Sequence, residues 1–209
     1  MKLAIFGATG RSGRPLVSQA LARGDDVTVL VRDAARLPQS DPNLHVITGD
    51  VHDPETVRQT VAGADAVISV LGHRRGTGYK VLRVGSAHIV TAMRETGVRR
   101  LVLLSITAVR DPEDRPRLAD RLLETVGRVL AAGVYADHMG QAATLRGSDL
   151  EWTIVRAPLL TEGPHTGSYH VANMGDGLGA RVSNADVAEF LLQQVTDTTY
   201  IGRAPLVGA

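Results

Sequence analysis

Short apolar, β-branched runs alternate with stretches of helical period along almost the whole chain. The runs Leu3 to Phe6, Val27 to Val31, Leu44 to Thr48, Ala66 to Val70, Leu101 to Leu104 and Trp152 to Val155 predict strands. Between them the periodicity predicts helices near Arg14 to Arg23, Glu55 to Val61, Tyr79 to Thr96, Arg117 to Ala131 and Asp137 to Leu145, and a last one over Asn184 to Val195. Gly24, Gly63, Gly97 and Gly147 stand just beyond helical stretches, where a helix that closes in the left-handed conformation prefers glycine. This alternation is the mark of an α/β fold, a doubly wound parallel sheet with helices on both faces. No repeat, low-complexity tract or long linker divides it, so one domain over 1–209 is expected.

From Leu159 the pattern loosens, and the segment Thr161 to Gly179 collects glycines with Pro164, His165, Tyr169 and His170. Ligands of doubly wound folds bind beyond the carboxyl ends of the strands, so a substrate pocket completed by about 158–182 is expected. A surface loop without function is the alternative reading.

Composition narrows the partners. The 209 residues are 44% hydrophobic and 22% charged with net charge +1, enough to bury a core and unlike a disordered chain. Near neutrality argues against nucleic acid or a membrane surface, both of which need clustered excess basic charge, and leaves a small molecule as the expected partner. The absence of cysteine excludes disulfides, cysteine-bound zinc, iron–sulfur clusters and a thiol nucleophile. The apolar run at the N-terminus stops at Gly7 and reads as a first strand rather than a signal peptide, and no apolar stretch reaches the ~18 residues of a membrane span. A cytoplasmic protein is expected. No dimer face stands out, because the helical apolar stripes suffice for covering the sheet; a monomer or weak homo-oligomer follows.

The most informative segment is Gly7-Ala8-Thr9-Gly10-Arg11-Ser12-Gly13, after the first strand and before the first helix. Glycines there let the backbone bend, approach a pyrophosphate and pack the helix on the strand, while the helix N-terminal amides face the anion. Its setting between a strand and a helix makes it a dinucleotide signal, giving a Rossmann-like fold; a tight turn without ligand is the alternative. The second strand runs into Arg32, with Arg36 beyond and Arg11 in the turn, which favours the 2′-phosphate of NADP(H) over NAD(H). Asp33 has two open readings, ribose hydroxyls or a helical cap. Asp50 after the third strand is a candidate for the adenine amino group or an ordinary turn carboxylate. Gly72 after the fourth offers close backbone approach, and Ser105 and Thr107 after the fifth point toward a nicotinamide or satisfy local backbone.

The segments "AIFGATGRSG", "VTVLVRD", "GDVHDPETV", "AGADAVISVLG", "ETGVRRLVLLS" and "LEWTIVRAP" resemble the atypical short-chain dehydrogenase/reductases of the NAD(P)-binding, NmrA-like group, and within it the biliverdin-IXβ reductase/flavin reductase branch, from Met1 to about Gly167 and more weakly to the end. The resemblance implies a monomeric NADPH-dependent reductase of flavins or tetrapyrrole-like acceptors. It places Gly7, Thr9, Gly10, Arg11, Ser12 and Gly13 at the pyrophosphate and Arg32 and Arg36 at the 2′-phosphate. Asp50 and Val51 fall at the adenine, Leu71 and Gly72 at the ribose side, and Ser105 and Pro158 at the nicotinamide end. The chain departs from the branch where Ala142-Ala143 replaces a His-Lys pair and Leu159 follows a single Pro158 in place of a histidine.

A Tyr-x-x-x-Lys dyad is missing: Lys2 and Lys80 are the only lysines, and neither follows a tyrosine by four residues. A reductase of this kind brings hydride on the cofactor, so the protein mainly positions a conjugated acceptor, with Ser105 as the catalytic candidate. His73, Arg74, His138, His165, Tyr169 and His170 are weaker candidates, each matched by a structural or solvated reading; for His138 on its helix the structural reading is favoured. Trp152 reads as core. The seven histidines show no defensible metal spacing. Two rival functions remain open: a non-catalytic NADP-sensing regulator, and a Rossmann-fold isomerase or lyase of a biosynthetic pathway.

Overall fold

The computed structural model describes residues 1–73, 80–177 and 179–209. In chain order the elements are β1 (Lys2–Phe6), α1 (Gly13–Ala22), β2 (Asp26–Val31), β3 (Leu44–Thr48), α2 (Pro54–Val61), β4 (Ala66–Ser69), α3 (Val81–Thr96), β5 (Arg100–Ile106), α4 (Leu118–Leu130), α5 (Ala132–Arg146), β6 (Glu151–Ala157), β7 (Leu159–Thr161), β8 (His170–Ala172), β9 (Arg181–Ser183), α6 (Asn184–Gln193) and β10 (Leu206–Gly208). A 3-10 turn covers Ala34–Arg36 between β2 and β3.

Eight strands form one sheet in the order β3-β2-β1-β4-β5-β6-β10-β8. Its pairs are parallel except at the edge, where β8 runs antiparallel to β10. The inner strands are continuous apolar runs because helices cover both faces. Period-two alternation divides each strand between two cores. Leu3, Ile5, Val27 and Val29 meet Leu16 and Val17 of α1 and Val187, Phe190 and Leu191 of α6. Ala4, Phe6 and Val67 meet Val57 and Val61 of α2, Leu82, Ile89 and Met93 of α3, and Leu145 of α5. The strand order reverses at β1, which has β2 on one side and β4 on the other, and such a reversal opens a crevice at the carboxyl ends of the strands.

The expected α/β fold is present, with four differences. Strands β7 to β10 have three residues each, too short to show a period. The helix expected from Asp137 begins at Ala132, directly after α4. Gly24, Gly63 and Gly97 adopt left-handed φ values of 78°, 75° and 77°, but Gly147 closes α5 at φ −83° and is not a left-handed cap. Finally, the stripe of α4 is not consumed by the sheet: Leu118 and Leu130 are 83% and 82% exposed, because α4 packs on α5 instead. Tyr79, where the sequence predicts the third helix to start, lies outside the described residues, and α3 begins at Val81.

Candidate active site

The chain leaves β1 through Gly7, whose φ of 90° is open to glycine alone at low cost. A Cβ on Gly7 would press on the Val70 carbonyl at the end of β4, and one on Gly13 would collide with the Gly7 carbonyl. The turn is closed by Gly10 N–H donating to the Gly7 carbonyl at 3.0 Å. Ser12 at the start of α1 donates from Oγ to Asn184 Oδ1 at 2.7 Å, tying the turn to the start of α6. The first turn of α1 carries no acidic residue, which leaves its amides free of local negative charge.

Beyond this turn lies a cavity of about 1000 Å³. Of the residues the sequence assigns to the cofactor, Gly7, Thr9, Gly10, Arg11, Ser12, Arg32, Arg36, Asp50, Val51, Leu71, Gly72 and Ser105 line it. Two do not. Gly13 is consumed in packing the start of α1 against the turn, so it shapes the cradle without facing it. Pro158 faces a different cavity, described below. The residues suit a dinucleotide: a backbone cradle free of side chains at a helix N-terminus, guanidinium groups along one wall, and a carboxylate at the adjoining strand end.

At the β2 end, Arg32 is exposed and Arg36 half-buried. Asp33 does not line the cavity; its Oδ1 accepts from Ala35 N–H at 3.1 Å and caps the 3-10 turn, the second of its two readings. Asp50 accepts from the backbone N–H of His52 at 2.9 Å and meets His52 Nδ1 at 2.6 Å. Partial burial raises its pKa, but the His52 hydrogen bonds and the Arg32 charge outweigh this and hold the carboxylate below its ordinary value. Val51 sits under α3 because Gly85 has no side chain to fill the space between them.

At the β5 end the site holds a cluster that the sequence reading left divided. Ser105 Oγ lies 3.0 Å from His138 Nδ1, both buried and both on the cavity wall. Burial, helped by the neighbouring His73, pushes the His138 pKa down to about 4, so the imidazole is neutral near pH 7. His73 packs edge-on against it with ring centroids 5.7 Å apart. Asp137, fully enclosed, accepts from His73 Nε2 at 2.9 Å and from the backbone N–H groups of Leu82 and Arg83 at 2.9 and 3.0 Å, so it caps α3 and fixes α5 against it. Asp137 went unnoticed in the sequence; the available signal was a polar pair, Asp137 and Gln141, one helical turn apart on a face that must be buried.

A second cavity of about 480 Å³ adjoins the first, and Ile106 lines both. Its walls include Thr107, Glu124, Tyr135, Pro158 and Met174. Thr107 therefore faces away from the glycine turn. Glu124 accepts from Tyr135 Oη at 3.1 Å and pairs with Arg110. Burial and the Glu124 carboxylate raise the Tyr135 pKa. Beneath this wall Asp114 holds the fully buried Arg156 at 2.6 and 2.9 Å and accepts from Met174 N–H at 2.8 Å. Asp111 holds Arg203 and the Ala204 amide in the same region.

The other sequence candidates line neither cavity. His165 pairs with Glu189 at 3.1 Å on the surface. Tyr169 packs edge-on against Phe190 at 6.0 Å, and burial raises its pKa to about 12. His170 is exposed on β8, and Trp152 packs against the core as expected. Arg74 lies outside the described residues. Leu160, Glu162, Gly163 and Pro164 line the larger cavity and lie in the segment 158–182 expected to complete the substrate pocket, whereas Asn184 and Ala185 line it and had no sequence signal of their own.

Comparison with known proteins agrees with this geometry. A 3-diazoavenalumate denitrifying reductase of a Streptomyces species is 34% identical over 194 residues, covering 80% of this chain and 58% of the relative. An uncharacterised chloroplastic protein of Arabidopsis thaliana is 33% identical over 208 residues, covering 92% of this chain and 72% of the relative. The chain thus spans a little over half the length of the Streptomyces protein. A short-chain dehydrogenase/reductase of Veillonella parvula, solved in complex with NADP, superposes with a TM-score of 0.81 at 22% identity over 100% of this chain and 94% of that one. Among the described residues no helix is long and apolar enough to cross a membrane. The NAD(P)H-binding family model matches residues 7–198, from the first glycine of the turn to beyond α6, and the chain belongs to that family.

Proposed function

We propose that the protein is an NADPH-dependent oxidoreductase that transfers hydride to a conjugated small-molecule acceptor such as a flavin, quinone or linear tetrapyrrole. The observation that carries this reading is the Ser105 hydroxyl: it lines the cavity of the glycine turn, one residue before the Ile106 wall shared with the second cavity. Cofactor and acceptor then meet at the carboxyl end of β5. Arg32 and Arg36 take the 2′-phosphate, and the engagement of Asp33 in its cap favours NADPH over NADH. The turn amides hold the pyrophosphate, Asp50 and Val51 the adenine, and Leu71 and Gly72 the ribose side. Ser105 holds the carboxamide or the acceptor. Pro158 moves from the cofactor to the wall of the acceptor pocket, which the segment 158–182 completes. One domain over 1–209 carries both sites.

When bound, the cofactor supplies hydride; the chain's residues bind, orient and exclude water. A conjugated acceptor spreads the incoming charge, which suits a site without a Tyr-x-x-x-Lys dyad. The reductase named among the relatives supports the reaction class. The test is absorbance of the reduced nicotinamide on mixing protein and NADPH with flavins, quinones and linear tetrapyrroles, with NADH in parallel. Oxidation by one class names the acceptor, and Ser105→Ala then lowers turnover while leaving NADPH affinity unchanged. Tight binding of NADPH without oxidation by any of them overturns the reading in favour of a sensor or isomerase.

A further inference from the structure

Reduction by hydride also needs a proton, and the Ser105 and His138 pair is built to deliver one. We propose that the two form a proton relay in which Ser105 Oγ protonates the reduced acceptor and His138 Nδ1 restores the proton to Ser105. The proposal rests on the reductase reading above and assigns His138, on α5, a positioning and proton-supplying role that acts through Ser105.

Three observations converge. The Ser105 Oγ to His138 Nδ1 separation is 3.0 Å, a length over which a proton moves along a hydrogen bond. Both side chains are buried yet line the larger cavity, at the point where Ile106 joins it to the second. The ring is held from behind, since its neighbour Asp137 is fixed by the Leu82 and Arg83 amides and by His73, so α5 cannot shift relative to α3 without breaking several buried bonds. A histidine this firmly placed is costly unless its polar atoms are used.

The depressed basicity of His138 decides its role between two possibilities. With a pKa of about 4 the ring is too seldom cationic near pH 7 to act as a reservoir of protons. It acts as a conduit: as Nδ1 gives its proton to Ser105, Nε2 takes one from solvent in the cavity, and the ring remains neutral overall. The step balances. The acceptor gains an electron pair with hydride from NADPH and one proton from Ser105; Ser105 is restored, His138 is left as the Nε2–H tautomer and returns to Nδ1–H by proton exchange with solvent before the next turnover, and one solvent proton is consumed for each hydride. Among the described residues the groups facing the ring are Ser105 from β5, His73 from the segment after β4, and Asp137 beside it on α5.

The relay requires that neutral His138 carry its proton on Nδ1, which nitrogen-15 NMR of the imidazole reads directly in the wild-type protein. The expected spectrum at pH 7 shows the Nδ1–H tautomer, with a nitrogen shift that moves on adding NADPH and moves again in Ser105→Ala. An Nε2–H tautomer, or a signal indifferent to both, overturns the proposal without any acceptor being known. In kinetics with a quinone, His138→Gln lowers kcat about 100-fold, the usual scale of a lost proton transfer, and leaves the NADPH dissociation constant in place. With an N-methylacridinium cation, which takes hydride at carbon and needs no proton, the same variant keeps its rate. Wild-type turnover with an unaffected His138→Gln sinks the relay alone. Wild-type protein that oxidises NADPH with no acceptor removes the reductase reading and the relay with it.

Discussion

The two cavities that meet at Ile106 are built by opposite means. The larger is cradled by strand ends and a glycine turn, so its cofactor end is shaped by backbone geometry: a left-handed Gly7, a Gly13 with no room for Cβ, and the start of α1, with His138 and the residues from Leu160 to Pro164 closing the rest. The smaller is walled by α4, α5 and the loose segment after β6, and its shape depends on side-chain pins far apart in sequence, Asp114 to Arg156 and Asp111 to Arg203. A pocket made of backbone stays the same while side chains change; a pocket made of pins is free to change its ligand. That division explains how a chain can retain a family's cofactor and part from its acceptor.

The strongest way to break the comparison is to pull a pin. Asp114→Ala strands the Arg156 guanidinium, which is 0% exposed, with the Val109 carbonyl as its remaining partner. Removing one member of a buried pair costs about 3 to 5 kcal/mol, and urea unfolding should register a loss of that size. Because Asp114 also anchors the Met174 amide, the folded variant should raise the KM of the acceptor and leave NADPH affinity alone. Equal damage to both would mean that the cavities are one unit.

The second pin gives a pH signature. Burial pushes the Asp111 carboxyl up, but Arg203 and the Glu113 and Ala204 amides overcome it and hold the pKa at about 2, against an ordinary 3.8. A carboxylate whose folded pKa is depressed stabilises the fold above its unfolded pKa and loses that contribution as pH falls through the folded value. Wild-type stability should therefore fall by about 2 kcal/mol more than that of Asp111→Asn as pH drops from ~4 to ~2, measured by denaturant titration. Parallel acid limbs for the two proteins would remove Asp111 from the account.

The same division separates what could be read in the sequence from what could not. β1, the turn and α1 were legible because strand period, glycine spacing and helix period are local properties of ten or so consecutive residues. Strands β7 to β10 were not, since three residues carry no period and their pairing partners lie far along the chain. Pro158 was assigned to the cofactor, yet it and Leu160 face different cavities, a matter of side-chain direction that sequence spacing does not settle. Asp137 carries no local signal of its partners: it is buried because they are the first amides of α3, a pairing made only in the folded protein. The apolar stripe of α4 was visible, but not that it would stay exposed on a helix that packs on α5 rather than on the sheet.

A smaller effect sharpens the cofactor side. Arg32 is exposed at the rim of the larger cavity, so its loss should spare the fold and act on phosphate alone. Arg32→Ala should weaken NADPH about tenfold, equivalent to about 1.4 kcal/mol, and leave NADH unchanged in a fluorescence titration. A matched loss for both cofactors would show that Arg32 does not read the 2′-phosphate.

The smallest effect belongs to His165, which with Asp186 and Glu189 brings three possible metal-ligand atoms within 4.8 Å of one another. The cluster is poorly suited to a cation because its buried member is already committed. Asp186 Oδ1 accepts from the Thr166 and Gly167 amides at 2.7 and 2.9 Å, and Oδ2 accepts from the Thr166 and Ser183 hydroxyls at 2.9 and 2.8 Å. Four donors occupy the lone pairs a metal needs, and they pin the loop before β8 onto the first turn of α6. His165 and Glu189 are left as a surface contact, worth at most about 1 kcal/mol. His165→Ala should change unfolding free energy by no more than that, and neither this variant nor a chelator should alter NADPH binding or oxidation. A drop in melting temperature on chelation that His165→Ala abolishes would instead make the cluster a structural metal site, and Asp186 would have to give up its loop to hold the ion.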